Sequence, residues 1–459
     1  MDRINKRHQI FPLILIVVTV LLFINTLSGA FVYDDLSVVV KNDQVKEWKF
    51  QHLWGGRSLR TLSLAVDYHL FGDSPKGYHL QNILWHAASV LLLYSVFAKI
   101  SGDRLISFIS ALIFAVHPIH VEAVANISNR KELLCMAFSL LSFYCYLHFI
   151  ERSGIKRWIW FICSLSGWFL ALKSKQVAII LPVSMVMYEF IFLQRERRFF
   201  TKKPLLLLGL FLLSGLMASI YIFSILDFAY LGNIGTLAGY KGNLTFYSVA
   251  ITSARAFWTY VRLLLFPLNL SPDHVMNLSS SFADPVTMVS WFALSGLVYL
   301  SYYLRRRAPL ISFGLFWVII HYIPVSNIIP SVYIVADRYM YIPSAGYCLI
   351  LAGFGQTVYC NLSNKYIIGY KQVFFIILIA IPVLLYSMKT IAYNAVWIDN
   401  KTLWNYALRV TPQSARAYKM RGNNYFSLGD LNNALKSFNK AIEINSMASD
   451  LDLFNNRGV

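Results

Sequence analysis

Apolar runs of about twenty residues recur along this chain, and each is long enough to cross the hydrocarbon core of a bilayer as a helix. The first covers roughly Phe11 to Ala30. Others lie near Leu80–Ile100, Leu105–Val121, Leu133–Ile150, Trp158–Leu172, Val177–Leu193, Pro204–Leu226, Val286–Leu304, Leu310–Ile323, Tyr341–Tyr359 and Val373–Met388. Of the 459 residues only 14% are charged and 57% are hydrophobic, whereas soluble domains carry about a quarter charged residues. The chain reads as an all-α, polytopic membrane protein with about 11 transmembrane helices. The run at the amino terminus exceeds the ~7–15 residues of a signal-peptide core, so it is expected to stay as the first helix.

The net charge of +19 does not point to nucleic acid, because the basic residues fall in short clusters between apolar runs. Cytoplasmic loop bias explains them. A twelfth candidate, Val249–Pro267, carries Arg255 and Arg262, each costing about 2.5–3.5 kcal/mol at mid-bilayer. Treating it as interfacial or re-entrant puts Lys6-Arg7, Lys99–Arg104, Arg152–Arg157, Arg195–Lys203 and Arg305–Arg307 on one side, the cytoplasm. The loops rich in chemistry and the carboxyl terminus then share the outer face. The five cysteines lie in or beside apolar runs without C-x-x-C spacing and read as small buried hydrophobes.

Past Asn394 the chain turns polar and helical. Trp404 and Ala407 recur as Phe438 and Ala441, about 34 residues on, the period of tetratricopeptide repeats. Gly422, Tyr425 and Ala434 fill matching slots. The organisation expected is a multi-span membrane domain over residues 1–392 and an incomplete repeat segment over 393–459. Such helical hairpins make protein-binding surfaces.

Asp34-Asp35 follows the first span in a loop that also holds Arg57, Arg60 and several aromatics. In an extended segment the two carboxylates would face opposite sides, one towards a cavity and one towards Arg57 or Arg60. The bland reading is a solvated helix-end turn. His117-Pro118-Ile119-His120-Val121-Glu122 puts two imidazoles and a carboxylate within six positions, without recognised zinc spacing, so a divalent metal is disfavoured. His117, His120, Glu122 and Asn126 are read as a polar, substrate-contacting mouth. Lys175 and Arg338 stand at helix ends on the same face, suited to a lipid phosphate. For each, snorkelling at a helix end is the bland alternative.

The segments FVYDDLSVVVKN, WGGRSLRTLSLAVDYHLFGDSPKGYHLQNILWHA, AVHPIHVEAVANISNRKELL, YVRLLLFPLNLSPDH and ADRYMYIPSAGYCL resemble the transmembrane, tetratricopeptide-containing O-mannosyltransferases and their bacterial relatives. The likeness covers essentially the whole chain. It implies a GT-C-type fold and sugar transfer from a polyprenyl-phosphate donor to a protein hydroxyl, with Asp34 as the catalytic aspartate. It also implies partners: a lipid-linked donor, membrane lipids and a protein acceptor reached through the repeats. Two departures stand out. Family members often carry Arg-Pro where Arg60-Thr61 stands and Ser-Lys-Glu where Ser174-Lys175-Gln176 stands. Rival readings are a transferase acting on glycan or lipid, a non-catalytic scaffold, and a transporter. The modest loops favour a bacterial plasma membrane over the endoplasmic reticulum.

Overall fold

The computed structural model describes residues 10–47, 57–193, 209, 246–328, 333–361 and 368–444, and these residues form helices with no strand among them. Seven of the described helices are long and apolar enough to cross a membrane, or up to eight if one bent pair counts as a span. The chain is a multi-pass membrane protein. Of the eleven spans expected, Pro204–Leu226 lies, apart from Gly209, outside the described residues. Leu310–Ile323 emerges as a shorter apolar helix, Pro309–Val325.

Helix α1 (Ile10–Phe23) runs on as a tighter turn to Ser28. α2 (Ser58–Phe71) follows, then the long α3 (Pro75–Ser101). α3 starts with proline at a position where no intrahelical N–H is missed. It stops at Gly102, whose φ of +68° closes the last turn through a bond to the Ala98 carbonyl. Asp103 immediately caps α4 (Arg104–Val116) by accepting from Leu105 N at 2.8 Å and Ile106 N at 3.2 Å. Stop and start signals this close produce a tight antiparallel pair.

The run expected to cross from Leu105 to Val121 breaks instead at His117-Pro118, where the axis bends by 52°. Proline lacks the N–H that the helix needs there and clashes with the preceding turn. The chain continues through a single turn and the short α5 (Val121–Ala125) before α6 (Arg130–Glu151). The span containing α6 is 72% buried, against 17% for α10 (Pro285–Leu304), so α6 is central and α10 faces lipid. α7 (Ile155–Ser174) and α8 (Leu181–Tyr188) lie between them in the chain.

α9 (Phe246–Leu265) is a continuous helix that packs on α10, where Trp258 donates to Ser290 O and Trp291 to Ile251 O. Thr252 accepts from Ser279 N, Ser253 O accepts from Tyr322, Tyr260 accepts from Ala336 N, and Leu264 O meets His117. Those partners all belong to connections or helix ends. α11 (Pro309–Tyr322), α12 (Ser344–Asn361) and α13 (Ile368–Asn394) complete the membrane part. α11 and α12 approach so closely that a Cβ on Gly346 would lie 2.4 Å from the Gly314 carbonyl oxygen.

The tail comprises α14 (Asn400–Val410), α15 (Ala415–Ser427) and α16 (Leu431–Ile444). Trp404, Ala407, Ala434, Phe438 and Ala441 are buried, as their repeat slots require. Gly422 is the contact point of its hairpin, because a Cβ there would meet the Phe438 ring at 2.4 Å.

The turns after α3, α6 and α10 share one end of the bundle and carry the basic residues. There Lys99 pairs with Glu151, and the Arg305 guanidinium lies 5.8 Å from the Phe190 ring. The Lys6-Arg7 and Arg195–Lys203 clusters lie outside the described residues. At the opposite end the Asp34 turn, the 117–132 segment, the 174–176 turn, the 337–340 turn and the tail meet.

Candidate active site

The turn carrying Asp34 is held in an unusual backbone conformation. Tyr33 has a φ of +56°, the left-handed region that residues other than glycine seldom occupy. Such residues cost about 1–3 kcal/mol and persist where their surroundings over-determine them. Here the Tyr33 N–H donates to Asn400 Oδ1 at 2.9 Å, its hydroxyl bonds that of Tyr333, and its ring meets Trp404 edge-on at 5.0 Å.

Beyond that kink the two aspartates part. Asp35 is fully buried. Its Oδ1 accepts from Ser128 N at 2.6 Å and its Oδ2 from Val32 N at 3.2 Å. The expected pairing of Asp35 with Arg57 or Arg60 is therefore not formed. Backbone amides take that carboxylate, because a buried segment must satisfy its N–H groups before it can engage a distant side chain. Asp34 is only part-buried, and among the described residues its carboxylate has no hydrogen-bond or ion-pair partner. Of the two, Asp34 is the open one.

The segment after the α4 break forms the site's floor. His117 and His120 are wholly buried. His117 Nε2 meets the Leu264 carbonyl at 2.9 Å while its Nδ1 accepts from Ile119 N at 3.1 Å. His120 Nδ1 meets the Phe114 carbonyl and its Nε2 the Ser344 hydroxyl, both at 2.8 Å. Every ring nitrogen is engaged within the protein, so both imidazoles pin the bend and neither is directed at a substrate. Asn126 Oδ1 accepts from Ser128 N and Oγ, shaping the loop that grips Asp35. Among the described residues no three His, Cys, Asp or Glu side chains converge as a metal-holding group.

Glu122 has a definite occupation. One carboxylate oxygen pairs with the Arg338 guanidinium and the other accepts from Arg338 N at 2.8 Å. It fixes Arg338 in place over the Tyr333 ring, with the guanidinium carbon 4.5 Å from the centroid. Lys175 Nζ likewise meets Glu132 at 2.6 Å. Both cations expected to hold phosphate thus carry their own carboxylate.

Arg57 is exposed at the start of α2. Arg60, one turn on, has a buried Nε without a hydrogen-bond partner. Burial and repulsion from Arg57 lower its pKa to about 10 while Asp34 pulls it back up, so it stays charged near neutrality. Lys131, absent from the sequence-derived site, lies within electrostatic reach of Arg57, Arg338, Glu132 and Arg60. Its ammonium has no ion-pair partner among the described residues. With Glu122 and Glu132 already engaged, Arg57 and Arg60 are the cations beside Asp34 without a carboxylate partner among the described residues.

Three further contributors escaped sequence reasoning. Tyr333 and Asn400 act across some 300 and 367 positions. Arg416 Nη1 meets Asp273 Oδ1 at 2.9 Å while its guanidinium lies over Tyr333 at 4.3 Å. Neither Asn400 nor Arg416 sits in a motif that marks chemistry.

A family model for dolichyl-phosphate-mannose-protein mannosyltransferases matches residues 62–253, and a tetratricopeptide-repeat model matches residues 415–447. The human protein O-mannosyl-transferase TMTC2 is 26% identical over 94% of this chain and 62% of its own length. The Caenorhabditis elegans protein O-mannosyl-transferase F38B6.6 gives the same identity and coverage. Mouse protein O-mannosyl-transferase TMTC4 is 27% identical over 92% of this chain and 64% of its own. The chain spans less than two thirds of the length of these curated relatives. In sequence along nearly its whole length, and in its helical membrane body with a tetratricopeptide tail, the chain is similar to the TMTC-like O-mannosyltransferases.

Proposed function

We propose that this protein is an inverting glycosyltransferase. It moves a sugar, mannose or a related hexose, from a polyprenyl-phosphate donor to a protein serine or threonine hydroxyl on the non-cytoplasmic face. The observation that carries the reading is the Asp34 carboxylate, without a partner among the described residues, beside the Arg60 guanidinium. The printed names of the relatives support the sugar and the acceptor class.

A lipid phosphate is already a good leaving group, so no general acid is needed. The acceptor hydroxyl requires a base and the departing phosphate requires positive charge. Asp34 takes the hydroxyl proton as that oxygen attacks the anomeric carbon from the face opposite the phosphate. The bond from that carbon to the phosphate oxygen breaks, and the phosphate keeps the electron pair. Arg338 is pre-aimed by Glu122, and Arg60 adds the charge that Arg338 and Lys175 share with their own carboxylates. An apolar cavity of about 630 Å³ between α9 and α10, lined by Ile251, Phe282, Met288, Trp291 and Ile328 among others, suits the isoprenoid chain. The 323–343 connection carries both Ile328 and the Tyr333–Arg338 edge of the site. The membrane is a bacterial plasma membrane, with the endoplasmic reticulum as the alternative.

The test is purified full-length protein with dolichyl-phosphate mannose and a library of serine- and threonine-bearing peptides. Asp34→Asn keeps size and polarity but removes the proton acceptor. Transfer should fall by roughly 10²–10⁴, the usual worth of a positioned base. A folded Asp34→Asn protein with near-normal turnover removes Asp34 from the mechanism.

A further inference from the structure

The tail does more at this site than a recruiting arm would need to. Its junction with the membrane domain is laced directly to the end of α1. Asn394 Nδ2 donates to Leu22 O at 2.8 Å and to Asn25 Oδ1 at 2.9 Å, and Asn25 Nδ2 donates back to Ile391 O. Ala30 N donates to Ile398 O at 2.9 Å. Then Asn400, in the first turn of α14, takes the N–H of Tyr33, the residue with the left-handed backbone beside Asp34.

A second line of contacts reaches the same turn from the repeat itself. Asp273 accepts from Ser414 Oγ at 2.6 Å and from Arg416 Nη1 at 2.9 Å, and its backbone carbonyl accepts from Thr411 Oγ1 at 3.0 Å. Arg416, so fixed, covers the Tyr333 ring, and the Tyr333 hydroxyl bonds that of Tyr33. From the repeat to the base the chain of contacts is Arg416, held by Asp273 of the membrane domain, then Tyr333, Tyr33 and Asp34.

We propose that the repeat tail sets the conformation of the Asp34 turn, with Asn400 and Arg416 as positioning residues for the transfer reaction. This rests on the reading of Asp34 as the base. A left-handed tyrosine relaxes unless it is held, and two of its holds come from the tail. Withdrawing Asn400 moves the Asp34 carboxylate without touching Arg338, whereas Arg416 shares the Tyr333 ring with Arg338. Displacements of about 1 Å at a reacting group can lower rates a hundredfold.

The experiment uses the full chain with Asn400→Ala, Asn400→Asp, Arg416→Ala and Arg416→Lys, each checked for a cooperative melt. Turnover is read as mannose released from dolichyl-phosphate mannose to water and to peptide. Amide exchange is read over residues 31–40, with residues 130–150 as the internal reference. Both alanine variants should lower kcat about tenfold or more, and Asn400→Ala should do so with little change in KM for the donor. They should also speed exchange over 31–40 alone. Asn400→Asp, which keeps an acceptor for the Tyr33 N–H, should restore both. Folded alanine variants with unchanged exchange and unchanged kcat overturn the proposal. So does faster exchange with normal kcat, since the turn would then be loosened without consequence for transfer. If the unmodified protein transfers no sugar at all, the proposed function fails separately. Exchange over 31–40 then judges the coupling by itself: faster exchange supports it and unchanged exchange overturns it.

Discussion

Asp35 is a buried carboxylate whose partners are amides, and its proton has a measurable consequence. Burial pushes its pKa up to about 7, the Ser128 and Val32 amides pull the other way, and the Asp34 charge adds to the rise. The folded value lies above the unfolded one of about 4. Its contribution to stability is therefore complete below about pH 4 and is lost as pH rises through about 7. Asp35→Asn has no such proton to release. The melting temperature of the unmodified protein minus that of Asp35→Asn should fall between about pH 4 and 7 and stay level above it. A difference that does not change with pH would show that Asp35 does not titrate in that window. At this scale the sequence located the groups better than their partners. The resemblance singled out Asp34, and helix-end placement singled out Arg338 and Lys175. What grips Asp35 is the N–H of Ser128, 93 positions away. A backbone amide has no side-chain identity through which the sequence can announce it. The same applies to Glu122, which reads as a contact for substrate and proves to be the anchor of Arg338.

Among the elements, Pro118 was visible in the sequence, but the apolar periodicity on both sides of it favoured one uninterrupted span. The missing N–H wins locally, and the resulting bend is what lowers Glu122 and Asn126 into the site. The repeat tail was legible because its period is arithmetic, and buried Trp404, Phe438 and Gly422 fall where the pattern put them. How α2 attaches was not legible. It depends on Arg130, a fully buried residue at the start of α6. Its Nε donates to Asn82 Oδ1 at 2.8 Å, one terminal nitrogen pairs with Asp67 and meets Ser63, and the other donates to Tyr78 O at 2.8 Å. One guanidinium thus ties α2, α3 and α6 together. Arg130→Ala leaves Asp67 buried without its counter-charge, a change that costs about 3–5 kcal/mol. The expected result is a large drop in melting temperature together with faster amide exchange in α2. A stable Arg130→Ala protein with α2 still protected would show that apolar packing alone holds that helix.

For the molecule as a whole, the question is which end faces the cytoplasm. The basic turns after α3, α6 and α10 share one end, and the Asp34 turn and the repeats share the other. Lysine and arginine are retained on the cytoplasmic side during insertion, so the Asp34 end and the tail should both face outward. An interfacial course for α9, the course its two arginines favour, would make this consistent. Were it a crossing, Arg305–Arg307 would be carried to the outer side with the site. Single cysteines in a cysteine-free background, Ser37→Cys, Ala308→Cys and Lys436→Cys, report on the three places that matter. In sealed right-side-out vesicles an impermeant thiol reagent should label positions 37 and 436 and spare 308, and permeabilisation should expose 308. Labelling of 308 alone would reverse the orientation and put the proposed chemistry on the cytoplasmic side. Labelling that separates 37 from 436 would contradict the Tyr33–Asn400 contact itself, since residues within hydrogen-bond reach cannot lie on opposite sides of a bilayer about 30 Å thick.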